Sequence, residues 1–276
     1  MHNVRGRIWG SHSRAGTKTR PAHFSGPTDH HKMRRCPEPS PPPESGRNLV
    51  IDNLSPPVGL LLSGGLDSSI LLGMLLREGR SVHCLYVRSG LFWEPDELRA
   101  IERFRQAMAS PRLCPVKVLD LPLADLYGEH WSVTGHGFPG AATPDDAVYL
   151  PGRNALLAIK AGIWCRVQRI DELALGILTG NPFPDATQAF FDDFESALNR
   201  SIGGRLRIVR PFAHLTKREV LQRGRGLPLE LTFSCIAPVD GLHCGRCNKC
   251  AERNAAFGQI GLEDPTTYAA PLVARP

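Results

Sequence analysis

Two stretches of this chain hold residue types that can do chemistry at a spacing that lets them act together. The first is Ser63-Gly64-Gly65-Leu66-Asp67-Ser68-Ser69. It follows the apolar run Val58-Gly59-Leu60-Leu61-Leu62 and leads into residues with helical spacing. A strand that ends in Ser-Gly-Gly and turns into a helix aims several backbone N–H groups at one point. The helix dipole adds partial positive charge there, which suits an anion. The glycines let the backbone approach that anion closely, and Ser68 and Ser69 add hydroxyl donors. Asp67 brings negative charge to the same corner, as a helix N-cap or as a Mg²⁺ partner for a nucleotide. The string lacks the Gly-Lys-Ser/Thr of a Walker loop and the Gly-x-Gly-x-x-Gly of a dinucleotide fingerprint. The bland alternative is a strand-to-helix turn that needs only Gly and Ser caps.

The second stretch is the cysteine cluster Cys235, Cys244, Cys247 and Cys250, spaced C-x8-C-x2-C-x2-C. Four thiolates on a short loop suit one tetrahedral Zn²⁺ per chain, closed to substrate and used to fold the surrounding lobe. Gly245 allows the tight turn of such a knuckle, and Arg246 and Lys249 offset its charge. An iron–sulfur cluster also takes four cysteines. A redox dithiol needs only two, so the third at the same interval is superfluous to it.

The whole chain sets the frame for these motifs. It has 276 residues, 42% hydrophobic and 22% charged, enough for a substantial core. No apolar stretch approaches the length of a membrane span. Arg and His occupy the N-terminus where a signal peptide needs an apolar run, so a cytoplasmic location is expected, with the eight cysteines reduced or on a metal. Residues 1–47 hold nine Lys/Arg and three acidic residues, which accounts for the entire formal charge of +6. The rest of the chain is neutral and offers no electrostatic reason to bind nucleic acid directly.

The elements that must position the motifs follow from periodicity. Residues 1–47, basic and rich in Pro, Ser and His, show none and are expected to be disordered. Strands are expected over 58–62, 82–87, 116–119, 172–178 and 206–209, and helices over 68–78, 96–108, 154–169, 188–199 and 217–223. Residues 121–148 look irregular. The alternation predicts a mostly parallel sheet covered by helices on both faces. The expected division is an α/β domain over 48–225 and a zinc-binding lobe with tail over 226–276.

The loop resembles the pyrophosphate loop of the N-type ATP pyrophosphatases, Ser-Gly-Gly-x-Asp-Ser. Three further segments narrow the resemblance: Tyr149-Leu150-Pro151-Gly152-Arg153-Asn154, Pro211-Phe212 followed by Thr216-Lys217-Arg218-Glu219, and Thr232-Phe233-Ser234-Cys235. With the loop and the cysteines, they are similar to the 7-cyano-7-deazaguanine synthase family over about residues 56–260. The resemblance implies a Rossmann-like (adenine nucleotide alpha hydrolase-like) fold, with ATP and Mg²⁺ at Leu62, Ser63, Gly64, Gly65, Leu66, Asp67, Ser68, Ser69, Ile70, Leu71 and Leu72. It implies an ATP-dependent C–N ligase of queuosine biosynthesis. The reaction would turn 7-carboxy-7-deazaguanine and ammonia into the 7-nitrile through an adenylated intermediate. Ser63, Asp67, Arg153 and Lys217 would be catalytic, and Arg153, Asn154 and Asp185 would contact substrate.

Plainer roles stand beside these. Lys217 suits an exposed first-turn lysine equally well, and Asn154 and Asp185 suit helix caps. Arg153 is a cation at a helix start, which a nearby anion explains better than solvent does. The family's habit implies a homodimer, and with no glutaminase segment ammonia arrives free or from a partner. The family usually carries Asp-Phe-Ser-Gly-Tyr-Pro-Asp-Cys-Arg beside the substrate. Here Thr179-Gly180-Asn181-Pro182-Phe183-Pro184-Asp185-Ala186-Thr187 stands in its place. That departure keeps in view a relative that adenylates another carboxylate; a separate alternative of the same fold, adenylating a tRNA base, has the neutral body against it.

Overall fold

The apolar runs pair as five parallel strands in the computed structural model, which describes residues 55–273. The expectations for residues 1–47 and for the start of the α/β domain lie outside the described residues. The strands are β1 (Val58–Leu61), β2 (Val82–Arg88), β3 (Lys117–Asp120), β4 (Glu172–Ala174) and β5 (Arg207–Val209), in the order β3-β2-β1-β4-β5. Val58 pairs with Val82 on one side of β1 and Gly59 with Leu173 on the other. The chain first builds outward from β1 to β3, then crosses to β4 and builds the other way. Ligands of open α/β sheets bind at the strand ends where the order reverses, here between β1 and β4.

Helices cover both faces. Side chains alternate along a strand, so Leu60 and Cys84 face one layer while Leu85 and Leu173 face the other. The first layer holds α1 (Leu66–Arg77) and α2 (Glu94–Ala107), packed through Ile70, Leu72 and Phe104. Two single-turn helices follow, α3 (Ala124–Tyr127) and α4 (Trp131–Thr134), inside the stretch expected to be irregular. The second layer holds α5 (Arg153–Val167) and α6 (Gln188–Ile202), packed through Ala161, Cys165 and Leu198. Gly59 lets α5 close on the sheet: a Cβ there would stand 2.4 Å from Cys165 Sγ. The last two helices, α7 (Lys217–Arg223) and α8 (Asn248–Gln259), complete the first layer, with Val220, Leu221 and Phe257 against α1. The cysteine lobe packs into the same body through Leu91, Trp93, Leu150 and Phe233.

The structure departs from the expected elements at three places. Helix α1 begins at Leu66, because Gly65 and not Asp67 is its N-cap. Strand β4 ends at Ala174 instead of 178, because Gly176 must pass Asp67 and Ser68 so closely that a Cβ would meet their backbone at 3.2 Å. Helix α8 was not expected. Cys84 and Cys165 are buried core thiols, each pushed up to about 12 by burial. Cys114 corrects the expectation of eight reduced or metal-bound cysteines, for it is disulfide-bonded. Among the described residues no helix is long and apolar enough to cross a membrane.

Candidate active site and metal lobe

A cavity of about 540 Å³ opens where β1 and β4 diverge, and the loop after β1 forms its floor. Gly64 makes the turn at φ +78°, and its carbonyl accepts the Phe233 N–H at 2.7 Å. The Ser63 and Ser68 hydroxyls lie 3.1 Å apart, and Ser68 Oγ also accepts the Ser63 N–H at 3.2 Å. No side chain caps α1, so the first N–H groups of a twelve-residue helix lie at the cavity, with Asp67 the one acidic residue of its first turn. Of residues 62–72, Ser63, Gly65, Leu66, Asp67 and Ser68 line the cavity. Leu62, Ile70, Leu71 and Leu72 are core side chains. Ser69, expected to be a donor to the anion, points into the body, where its hydroxyl is buried without a partner.

Asp67 is neither N-cap nor free ligand. Lys217 Nζ donates to its Oδ1 at 2.9 Å and its Oδ2 at 2.7 Å, and lies 3.3 Å from Glu252. Lys217 is therefore not an exposed first-turn lysine. The turn that carries it is fixed by a capping box: Thr216 Oγ1 accepts the Glu219 N–H, and Glu219 Oε2 accepts the Thr216 N–H. Burial alone would lower the Lys217 pKa, but Asp67 and Glu252 outweigh it and hold the ammonium above its ordinary value. Burial pushes Glu252 up in turn, yet Lys249 and Lys217 hold it down at about 2.

On the opposite wall Arg153 opens α5 behind Gly152, whose φ is +73°. Its side chain forms no hydrogen bond or ion pair among the described residues, and its Nε is buried without a partner. Asn154 and Asp185 are spent on each other. Asp185 Oδ2 accepts the Asn154 N–H at 2.9 Å, and Asn154 Nδ2 donates to Asp185 Oδ1 at 3.1 Å. Asp185 thus caps α5 from a separate segment, which is the plainer of its two expected roles, while both residues still line the cavity. Farther along that segment Thr187 N-caps α6, accepting the Phe190 N–H at 3.2 Å. Next to this segment Arg210 donates to the Ala186 carbonyl at 3.2 Å and lies over the Phe191 ring, outside the cavity lining.

Glu97 lines the cavity too, and the sequence reading missed it. It is 9% exposed, accepting the Tyr86 hydroxyl at 2.7 Å and the Trp93 Nε1–H at 3.1 Å. Burial pushes its carboxyl up to about 7, against the pull of Arg153. The only clue in sequence was an acid at helical spacing among the apolar residues of α2.

The four cysteines converge as expected. All are buried, with sulfurs within 4.8 Å of one another, and no other group of three or more potential ligands forms among the described residues. A tetrahedral ion bound at about 2.3 Å separates its thiolates by about 3.8 Å. The Cys235–Cys247 and Cys244–Cys250 sulfur distances are 3.8 and 3.9 Å. Backbone N–H groups of Ala237 and Cys244 donate to Cys235 Sγ at 3.3 Å, and those of Arg246 and Cys247 donate to Cys244 Sγ. Such donors favour the thiolate form. The set fits a single metal ion.

The fold is an open parallel α/β sheet with a cavity at its switch point, here joined to a four-thiolate lobe. Comparison gives the family. The family model described as "Queuosine biosynthesis protein QueC" matches residues 58–261, and the chain belongs to that family. It is 33% identical over 238 residues to a 7-cyano-7-deazaguanine synthase of Methanopyrus kandleri, spanning 76% of this chain and 97% of the relative. It is 32% identical over 221 residues to the enzyme of that name from Thiobacillus denitrificans, spanning 76% and 97%. Among solved structures, the predicted subunit of a tRNA methyltransferase from Methanocaldococcus jannaschii is 16% identical, with a TM-score of 0.40 over 61% of this chain and 73% of that one.

Proposed function

We propose that the chain converts 7-carboxy-7-deazaguanine, ammonia and ATP into 7-cyano-7-deazaguanine, as an ATP-dependent ligase of queuosine biosynthesis. The observation that carries this is one cavity with an uncapped helix N-terminus on its floor and, on its wall, an arginine without a hydrogen bond or ion pair among the described residues. The first suits a triphosphate and the second an organic acid, and the reaction must bring the two together.

A carboxylate is a poor acyl donor because its oxygen leaves badly. Attack of that oxygen on the α-phosphate of ATP releases pyrophosphate and makes AMP the leaving group. Ammonia then displaces AMP to give the amide. A second adenylation, on the amide oxygen, followed by loss of AMP gives the nitrile. The N–H groups at the start of α1 and the Ser63 and Ser68 hydroxyls hold the phosphates. Lys217, kept charged by Asp67 and Glu252, meets the negative charge that develops on the transferred phosphate. Arg153 orients the acid, and Asp185 and Asn154 keep the start of α5 in place beneath it.

Mg²⁺ bound to the nucleotide would supply charge neutralisation at the phosphates. With Asp67 committed to Lys217, no step is assigned to a protein-bound Mg²⁺. The four cysteines hold zinc, whose closed shell supplies folding and no open position for substrate.

The test is incubation with ATP, Mg²⁺, ammonium and 7-carboxy-7-deazaguanine, following AMP and nitrile by mass spectrometry. AMP and nitrile together are expected. The altered segment at Ala186 and Thr187 favours a second reading, in which the acid differs. AMP formed with another acid, and none with this one, would establish it. AMP formed only with tRNA would replace both.

A further inference from the structure

Five carboxylates line the cavity: Asp67, Glu97, Asp145, Asp185 and Glu252. Asp67 and Glu252 are held by lysines, Asp185 is held by the start of α5, and Asp145 is engaged elsewhere. Glu97 differs. Its hydrogen-bond partners, Tyr86 Oη–H from β2 and Trp93 Nε1–H from the start of α2, are neutral donors that fix its orientation without neutralising it. The charged groups around it are Glu94 on its own helix and Arg153 from α5. Arg153 is the group given above to the acid, so the acyl carbon comes to rest beside Glu97. Each carboxylate oxygen accepts one hydrogen bond and keeps a lone pair for a cationic visitor.

We propose that Glu97 binds the incoming ammonium ion and takes its proton, delivering ammonia to the acyl adenylate. This rests on the reaction proposed above and names a residue for its second step. Ammonium has no lone pair and cannot attack. Transfer of one proton to a Glu97 oxygen leaves NH₃, whose lone pair forms the C–N bond at the acyl carbon. The C–O bond to AMP breaks, and its electron pair leaves with the phosphate. The second proton shed by nitrogen goes to the departing AMP, and Glu97 returns its own proton to solvent before the next turnover. Burial suits the task, because a carboxyl poised near neutrality accepts a proton from ammonium and gives it up again within the working pH range.

The two half-reactions separate this step from folding and from adenylation. Acid-dependent exchange of labelled pyrophosphate into ATP reports adenylation alone. For Glu97→Gln the exchange should stay within a few-fold of the wild-type rate. Ammonia-dependent product formation should fall ~100-fold or more. Hydroxylamine, already unprotonated at neutral pH, should restore acyl transfer as the hydroxamate. In Tyr86→Phe, loss of a hydrogen bond to the carboxylate should move the acid limb of the ammonia-dependent rate to higher pH.

The proposal is overturned if exchange and ammonia transfer fall together in Glu97→Gln, if ammonia transfer is unchanged, or if hydroxylamine is impaired as much as ammonium. Absence of acid-dependent exchange in the wild-type protein would instead overturn the proposed function itself.

Discussion

Lys217 donates to both oxygens of Asp67, at 2.9 and 2.7 Å, across a sequence separation of 150 residues. The pair joins the start of α7 to the start of α1, and Glu252 joins α8 to both. A cation at a helix N-terminus is unfavourable in isolation. Here two carboxylates hold it, and it stands where a phosphate would arrive.

Removing the cation therefore does more than remove a contact. In Lys217→Met, Asp67 and Glu252 lose the charge between them and repel the nucleotide. Turnover should fall ~100-fold or more, with ATP affinity reduced, and stability should fall by roughly 2 kcal/mol. AMP release and urea unfolding read the two effects. Asp67→Asn leaves Lys217 paired with Glu252, so its stability loss should be the smaller. An equal loss in both variants would contradict the arrangement.

The metal lobe has its own signature. Cys247→Ser removes one thiolate from four buried ligands and should lose the metal together with much of the melting temperature. Metal content by mass spectrometry and thermal unfolding measure this. A variant that stays folded and fully loaded would show that Cys247 is not a ligand.

The cap on α5 can be tested apart from catalysis. Asp185→Ala leaves the Asn154 N–H without its acceptor and should cost ~1 kcal/mol of stability. The loss should come with a modest rise in KM for the acid. Unchanged stability with a large KM effect would mean that Asp185 belongs to the ligand instead.

Glu97 and Glu252 should pull the pH dependence of stability in opposite directions. Glu97 titrates near 7 when folded, above its ordinary 4.5, so the stability it contributes is present below 4.5 and is lost as pH rises through 7. Glu97→Gln should thus gain melting temperature relative to wild type between pH 5 and pH 8. Glu252 is held at about 2, so its contribution is present above 4.5 and is lost as pH falls toward 2. Glu252→Gln should flatten acid unfolding. Melting curves across pH resolve both.

What sequence could reveal was what lies close along the chain. The Ser-Gly-Gly loop and the cysteine spacing are local: the cysteines converge, and the loop turns into α1 with Ser63 and Ser68 at the cavity but Ser69 aimed away from it. Lys217 was visible as a cation but not as the partner of Asp67, because nothing in a string pairs α7 with α1. Glu97 escaped for the same reason: Tyr86 comes from β2 and Arg153 from α5, so only packing shows that they meet. Helix α8 was hidden because its first turn is also part of the metal knuckle, where the ligand spacing overrides an amphipathic pattern. Strand β4 ends early because Gly176 must clear the backbone of Asp67 and Ser68, a tertiary constraint that periodicity does not record.

Cys247 is the N-cap of α8, and that helix carries Lys249 and Glu252 to the cavity wall, while Phe233 ties the other end of the cysteine lobe to Gly64. Loss of the metal would accordingly loosen the start of α8 and the contact to Gly64 together, so it would reach the nucleotide corner as well as the stability of the fold. The metal lobe would then act on the site without touching a reacting atom.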